Sequence, residues 1–102
     1  MPGADVWEGA LAQNIDGTLF LVAHCSGPAL PISMCYDAWD SANDTVTIKK
    51  QGTVFSNVYR VGDYATATPW WLDGGHHILA TTEIGFPQAH PYDAQTWIDL
   101  IP

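Results

Sequence analysis

Basic residues are nearly missing from this chain. Only Lys49, Lys50 and Arg60 carry a positive charge among 102 residues, against eleven acids, for a formal net charge of −8. Such a surface repels phosphate backbones and anionic lipid, which excludes nucleic acid and acidic membranes as partners; a basic protein or a cationic small molecule is steered in instead. Long apolar runs are missing too: residues 19–23 fall far short of the ~18 residues of a membrane span. The opening Met1-Pro2-Gly3-Ala4-Asp5 lacks the basic start and apolar core of a signal peptide, so the chain reads as soluble, with its compartment open.

Catalytic strings are also lacking. There is no G-x-S-x-G, H-E-x-x-H, C-x-x-C, Walker loop or dinucleotide fingerprint. Glutamate is limited to Glu8 and Glu83, which does not suit a glycosidase built on a glutamate pair.

Cysteine is limited to Cys25 and Cys35, which flank the loop-forming run Ser26-Gly27-Pro28-Ala29-Leu30-Pro31. With residues 26–30 as the loop, Cys25 faces Pro31 and Cys35 faces Leu21, about four residues along the strand. At roughly 3.3 Å per residue that exceeds the reach of a disulfide, so a bridge requires a wider loop or strands in different sheets. A Cys25–Cys35 disulfide and two buried thiols both remain open. His24 is no natural base for Cys25, because adjacent strand residues point to opposite faces.

What the chain does have is β-patterning with clear punctuation. Asp73-Gly74-Gly75 sits between β-prone runs, Tyr64-Ala65-Thr66-Ala67-Thr68 and Ile78-Leu79-Ala80-Thr81-Thr82-Glu83-Ile84. Asp-Gly and Gly-Gly are strong hairpin signals because tight primed turns need residues tolerant of positive φ. With Asp73-Gly74 as a two-residue loop, Trp70 lies opposite His77; with Gly74-Gly75, it lies opposite Leu79. Either register puts Trp70 and Trp71 on opposite faces, and likewise His76 and His77, so that one of each pair is covered.

Elsewhere, residues 5–13 alternate and lead through Asn14-Ile15-Asp16-Gly17, a turn, into residues 18–25, apolar on both faces and so expected at the centre of a sheet. Residues 32–36, 45–50, 53–61 and 96–101 complete the strand candidates. About seven strands at near ten-residue spacing, without a long helix, define one all-β domain over residues 1–102, an antiparallel β-sandwich or small β-barrel.

Five tryptophans and four tyrosines are many for this length. Trp70 and Trp71 stand beside Asp73, His76 and His77, and an aromatic surface rimmed by acids suits a sugar or an amine. The chain therefore reads as a non-catalytic binding module for a small polar or cationic ligand, or a basic protein. Its expected surface is Trp70, Trp71, Asp73, His76 and His77, with Tyr64, His90 and Tyr92 at the rim. No cofactor is expected. The alternative is a small enzyme with one divalent transition metal on His76, His77 and His90 plus a carboxylate. The run Gly75-His76-His77 with Glu83 and Gly85 resembles a cupin metal motif in composition, but cupin histidines alternate to face one lumen and these are adjacent. A third reading is a homo-oligomer subunit whose Trp-rich ends are buried between protomers.

Overall fold

The structure, a computed structural model, describes residues 3–39, 45–55, 64–86 and 94–101. Seven strands are present among them: β1 (Asp5–Gln13), β2 (Leu19–Gly27), β3 (Leu30–Ala38), β4 (Thr47–Lys50), β5 (Thr66–Pro69), β6 (Ile78–Gly85) and β7 (Ala94–Ile101). They form two antiparallel sheets, ordered β1-β2-β3-β4 and β5-β6-β7. Among the described residues no helix is long and apolar enough to cross a membrane.

The core draws on both sheets. From the first sheet come Ala12, Phe20, Val22 and Met34; from the second, Ile78, Ala80, Ile84 and Ile101. Phe20 and Val22 share one face of β2 by strict alternation, as do Ile78, Ala80 and Ile84 on β6. Removing each large side chain of this set from water contributes about 1.5–3 kcal/mol.

The run expected as a loop between the cysteines is instead a tight turn at Pro28-Ala29, with Gly27 paired to Leu30. A register shift between Cys25 and Gly27 then brings Cys25 opposite Ser33 and Cys35 opposite Ala23. The cysteines are one diagonal step apart across adjacent strands, with Cα atoms 6.1 Å apart, and they form a disulfide. The four-residue offset derived from a five-residue loop is thus corrected: strand pairing reaches further into the turn than its prolines suggest.

Residues 53–61, expected as a strand, are described only to Phe55, and Thr53 and Val54 form a bend. The chain here leaves β4 and crosses to the other sheet, where the Thr53 N–H donates to Gly85 O (2.7 Å). Gly52 makes the crossing tight: a Cβ at this residue would sit 2.1 Å from Ile32 O. The Ser33 hydroxyl accepts the Gly52 N–H (2.9 Å) and donates to Pro31 O (2.8 Å).

A second link between the sheets is His24, whose side chain on β2 is fully buried. Its Nδ1–H donates to Glu8 O (3.1 Å), and its Nε2 accepts the Glu83 N–H of β6 (3.1 Å). These partners define one neutral tautomer. The ring stacks on Trp7, centroids 4.6 Å apart and planes 15° apart, and the Trp7 indole donates to Ser26 Oγ (3.1 Å). Glu8 reaches the imidazole because β1 bulges after Trp7, with Glu8 at φ 46°.

Burial is the main influence on this imidazole and lowers its pKa below 6.5, although the Glu8 and Trp7 carbonyls push the other way. Below pH 6.5 the unfolded chain therefore binds a proton that the folded chain resists, and stability falls as pH drops through that window. Urea midpoints at pH 7.5, 6.5 and 5.5 should decline in that order. His24→Gln should flatten the decline while lowering stability at every pH. An unchanged slope in that variant would place the sensitivity elsewhere.

At the far edge, the Asp99 carboxylate turns back on its own strand. It accepts the Leu100 N–H (2.9 Å) and the Trp97 indole N–H (3.2 Å). Lys50 Nζ lies 4.4 Å from the centre of the Trp97 ring, a cation–π contact joining β4 to β7.

Candidate functional site

The β5–β6 connection carries most of the residues picked out in the sequence. Its register is the one in which Trp70 opposes His77: Pro69 pairs with Ile78, and the Trp70 N–H donates to His77 O (2.8 Å). It is not a two-residue turn, however. Trp71–Asp73 form one 3-10 turn, closed by Gly74 at φ 75° and Gly75 at φ 88°. Both glycines take left-handed backbone that a β-carbon disfavours.

Asp73 organises the loop. Its Oδ1 accepts the N–H groups of Gly75 (3.1 Å) and His76 (3.0 Å); its Oδ2 accepts the His77 N–H (3.2 Å) and is hydrogen-bonded by His77 Nδ1. Desolvation pulls the carboxyl upward. The His77 imidazole and the three amides together outweigh it and hold the pKa below 3.8.

The loop is docked on the β1–β2 turn. The Ile15 N–H donates to Gly75 O (2.9 Å), Asn14 Nδ2 donates to His76 O (3.2 Å), and His76 Nδ1 lies 3.3 Å from Asp16 Oδ2. Asn14 is itself oriented, because its Oδ1 accepts the N–H groups of Asp16 (3.0 Å) and Thr18 (2.9 Å). Gly75 is buried, and a Cβ there would meet Ile15 and Pro69 at 3.6 Å.

The expected face alternation fails here, because the chain leaves strand geometry at Trp70. Trp70 and Trp71 lie side by side, ring centroids 6.1 Å apart and tilted by 51°. Trp70 is half-buried, while Trp71 is 75% exposed. His76 and His77 are both exposed, so neither is the covered histidine anticipated. Each sets its Nδ1 against a carboxylate, His76 against Asp16 and His77 against Asp73.

Tyr64 is 82% exposed but precedes β5, at the end of that strand remote from the loop. His90 and Tyr92 lie outside the described residues. Among the described residues, no three His, Cys, Asp or Glu side chains converge as a metal would require; His76 and His77 engage separate carboxylates.

One participant in this site, and one exposed aromatic near it in the fold, were not singled out from the sequence. Asp16 joins the site from 60 positions away, and only the docking of two turns puts it there. Trp39 is 66% exposed beyond β3, where its N–H donates to Leu19 O (2.7 Å) and continues the β2–β3 ladder toward this same end of the molecule. Its isolation in a polar stretch was the available signal.

The site is thus an exposed indole on a pinned loop, flanked by two carboxylate–imidazole pairs, at one end of an all-β scaffold. The chain matches no protein-family model, no curated protein and no solved structure.

Proposed function

We propose that this chain is a single β-sandwich domain acting as a non-catalytic binding module, and that its ligand is a neutral, hydroxyl-rich molecule of the sugar class stacked on Trp71. One observation carries the reading: Trp71 stands 75% exposed on a loop held by its own Asp73 and by the neighbouring turn. An indole presented on a pinned backbone offers a large flat apolar area with little ordering left to do on binding. Around it, the carboxylate oxygens of Asp16 and Asp73 accept from hydroxyl groups, and the imidazoles of His76 and His77 exchange hydrogen bonds with them. Each carboxylate is already engaged by an imidazole, and Asp73 by three amides as well, so this end favours hydroxyls over the amine or basic protein that net charge alone suggests.

The test is a calorimetric screen of soluble cello-, chito- and laminari-oligosaccharides against the protein and two variants. Trp71→Ala should weaken the best binder at least about tenfold, as loss of a stacking residue does, and leave the melting temperature in place. Trp70→Ala should lower the melting temperature instead. If no oligosaccharide binds, or if both substitutions merely unfold the domain, the reading fails.

A further inference from the structure

Aspartate is followed directly by glycine at Asp16-Gly17 and at Asp73-Gly74. The fold brings both pairs to one end, on two turns docked against each other. Glycine has no side chain to obstruct its amide nitrogen, so that nitrogen can attack the preceding aspartate's side-chain carbon and close a cyclic imide. The two glycine amides are engaged alike, Gly17 N–H by Asn14 O (3.1 Å) and Gly74 N–H by Trp71 O (3.2 Å). The carboxyl groups differ. Both Asp73 oxygens are committed forward along the chain, to the N–H groups of Gly75, His76 and His77 and to the His77 ring. Its side chain is 29% exposed, and although desolvation pulls it upward, the ring and the amides keep its pKa below 3.8. A carboxylate held ionised is a poor electrophile, because it has no hydroxyl to expel. The Asp16 side chain is 65% exposed, with His76 Nδ1 3.3 Å from its Oδ2. The nearby amides of Asp16 and Thr18 are taken by Asn14 Oδ1 instead (3.0 and 2.9 Å).

We propose that Asp16 is a self-modification site, converting through a cyclic imide to isoaspartate in the folded protein while Asp73 is protected. The step balances with water alone. The Gly17 nitrogen bonds to Asp16 Cγ, a Cγ–O bond of the neutral acid breaks, and the amide proton leaves with that hydroxyl as water. Water then opens the imide. Addition at Cγ restores aspartate; addition at the main-chain carbonyl leaves a free α-carboxylate and routes the chain through Cβ and Cγ. The backbone gains one carbon, about 1.5 Å of contour, between the Asp16 and Thr18 amides that Asn14 Oδ1 holds together. The lengthened turn cannot keep both. Asn14 also holds His76 O through Nδ2, and the adjoining Ile15 N–H holds Gly75 O. Conversion therefore loosens the dock beneath the Trp71 loop and leaves the contacts that Asp73 makes within that loop untouched.

The experiment ages the folded protein in warm, mildly acidic buffer beside a sample unfolded in urea, and maps isoaspartate by peptide mass spectrometry with electron-transfer fragmentation. The folded protein should accumulate isoaspartate at Asp16 well ahead of Asp73, and the unfolded chain should convert both. Asp16→Glu should keep a carboxylate there and abolish the conversion, because its longer side chain closes the corresponding ring far less readily. In the converted fraction the Ile15 and Thr18 amides should exchange hydrogen at least about fivefold faster, the ratio set by one lost hydrogen bond. The His77 amide, held by Asp73, should exchange as before. Folded protein that converts Asp73 as fast as Asp16 overturns the proposal. So does folded protein that spares Asp16 while the unfolded chain converts it, since the turn is then protective. Unchanged exchange at Ile15 and Thr18 in the converted fraction overturns the coupling to the loop. Each outcome is read without any sugar present, so this inference and the sugar reading can fail separately.

Discussion

Replacing Cys25 and Cys35 together by alanine should lower the unfolding free energy by about 2.5 kcal/mol. The disulfide joins residues ten positions apart, and closing a loop of that length removes roughly this much entropy, as free energy, from the unfolded chain. For a domain of this size the midpoint of thermal unfolding should fall by about 10–20 °C. Alanine is the right replacement because both sulfurs are buried and a buried serine would add an unpaired hydroxyl. Reductant supplies an independent check. Added to the folded protein it should act slowly, since neither cysteine is exposed; added during urea unfolding it should shift the midpoint to that of the double variant. A midpoint indifferent to both treatments would mean that the bond contributes nothing to stability.

Gly85→Ala should cost a comparable amount or more, about 2–4 kcal/mol. A Cβ at Gly85 would lie 2.0 Å from Val54 O and 3.2 Å from Val54 C. Both are backbone atoms, so relief requires the crossing segment to move off the second sheet. Overpacking of this kind costs about 1–3 kcal/mol. The displaced Thr53–Gly85 hydrogen bond adds about 1 kcal/mol. Gly52→Ala presses on the same seam from the other side, where its Cβ would meet Ile32 O at 2.1 Å. The two substitutions should therefore be clearly less than additive in urea titrations. Gly74→Ala is the contrast. It has a positive φ but open space, its nearest contact being His76 Cδ2 at 3.9 Å, and should cost only about 1 kcal/mol for the backbone. If Gly85→Ala behaves like Gly74→Ala, the two sheets are not held as closely as described.

Where the fold was legible in the sequence, the signal was local. Residues 5–13 alternate and become β1; Asn14 to Gly17 is a turn because its Asn side chain and Gly17, at φ 88°, make one. The run around Val22 is apolar on both faces and lies inside its sheet. Where the reading failed, the cause was non-local. The bulge that sets Cys25 opposite Ser33 depends on how β2 and β3 pair as a whole, and two prolines disguised it. Trp71 left the strand pattern because Asp73 had three amides and an imidazole to gather. The Trp70–His77 stretch was found from its composition, but its geometry was not: Asp16, which completes it, is far away in sequence.

The shortage of cations met at the outset has one more consequence. Proteins commonly guard the margins of their sheets with lysine, because an unguarded margin templates fibrils. This chain has two lysines, and both stand on the short edge strand β4. The other three margins use different devices: β1 is bent by its bulge at Glu8, β5 is four residues long and ends in Pro69, and β7 has its Leu100 amide occupied by Asp99. Asp99, whose carboxylate occupies the Leu100 N–H, is thus an acid standing at a sheet margin where lysine is the commoner device.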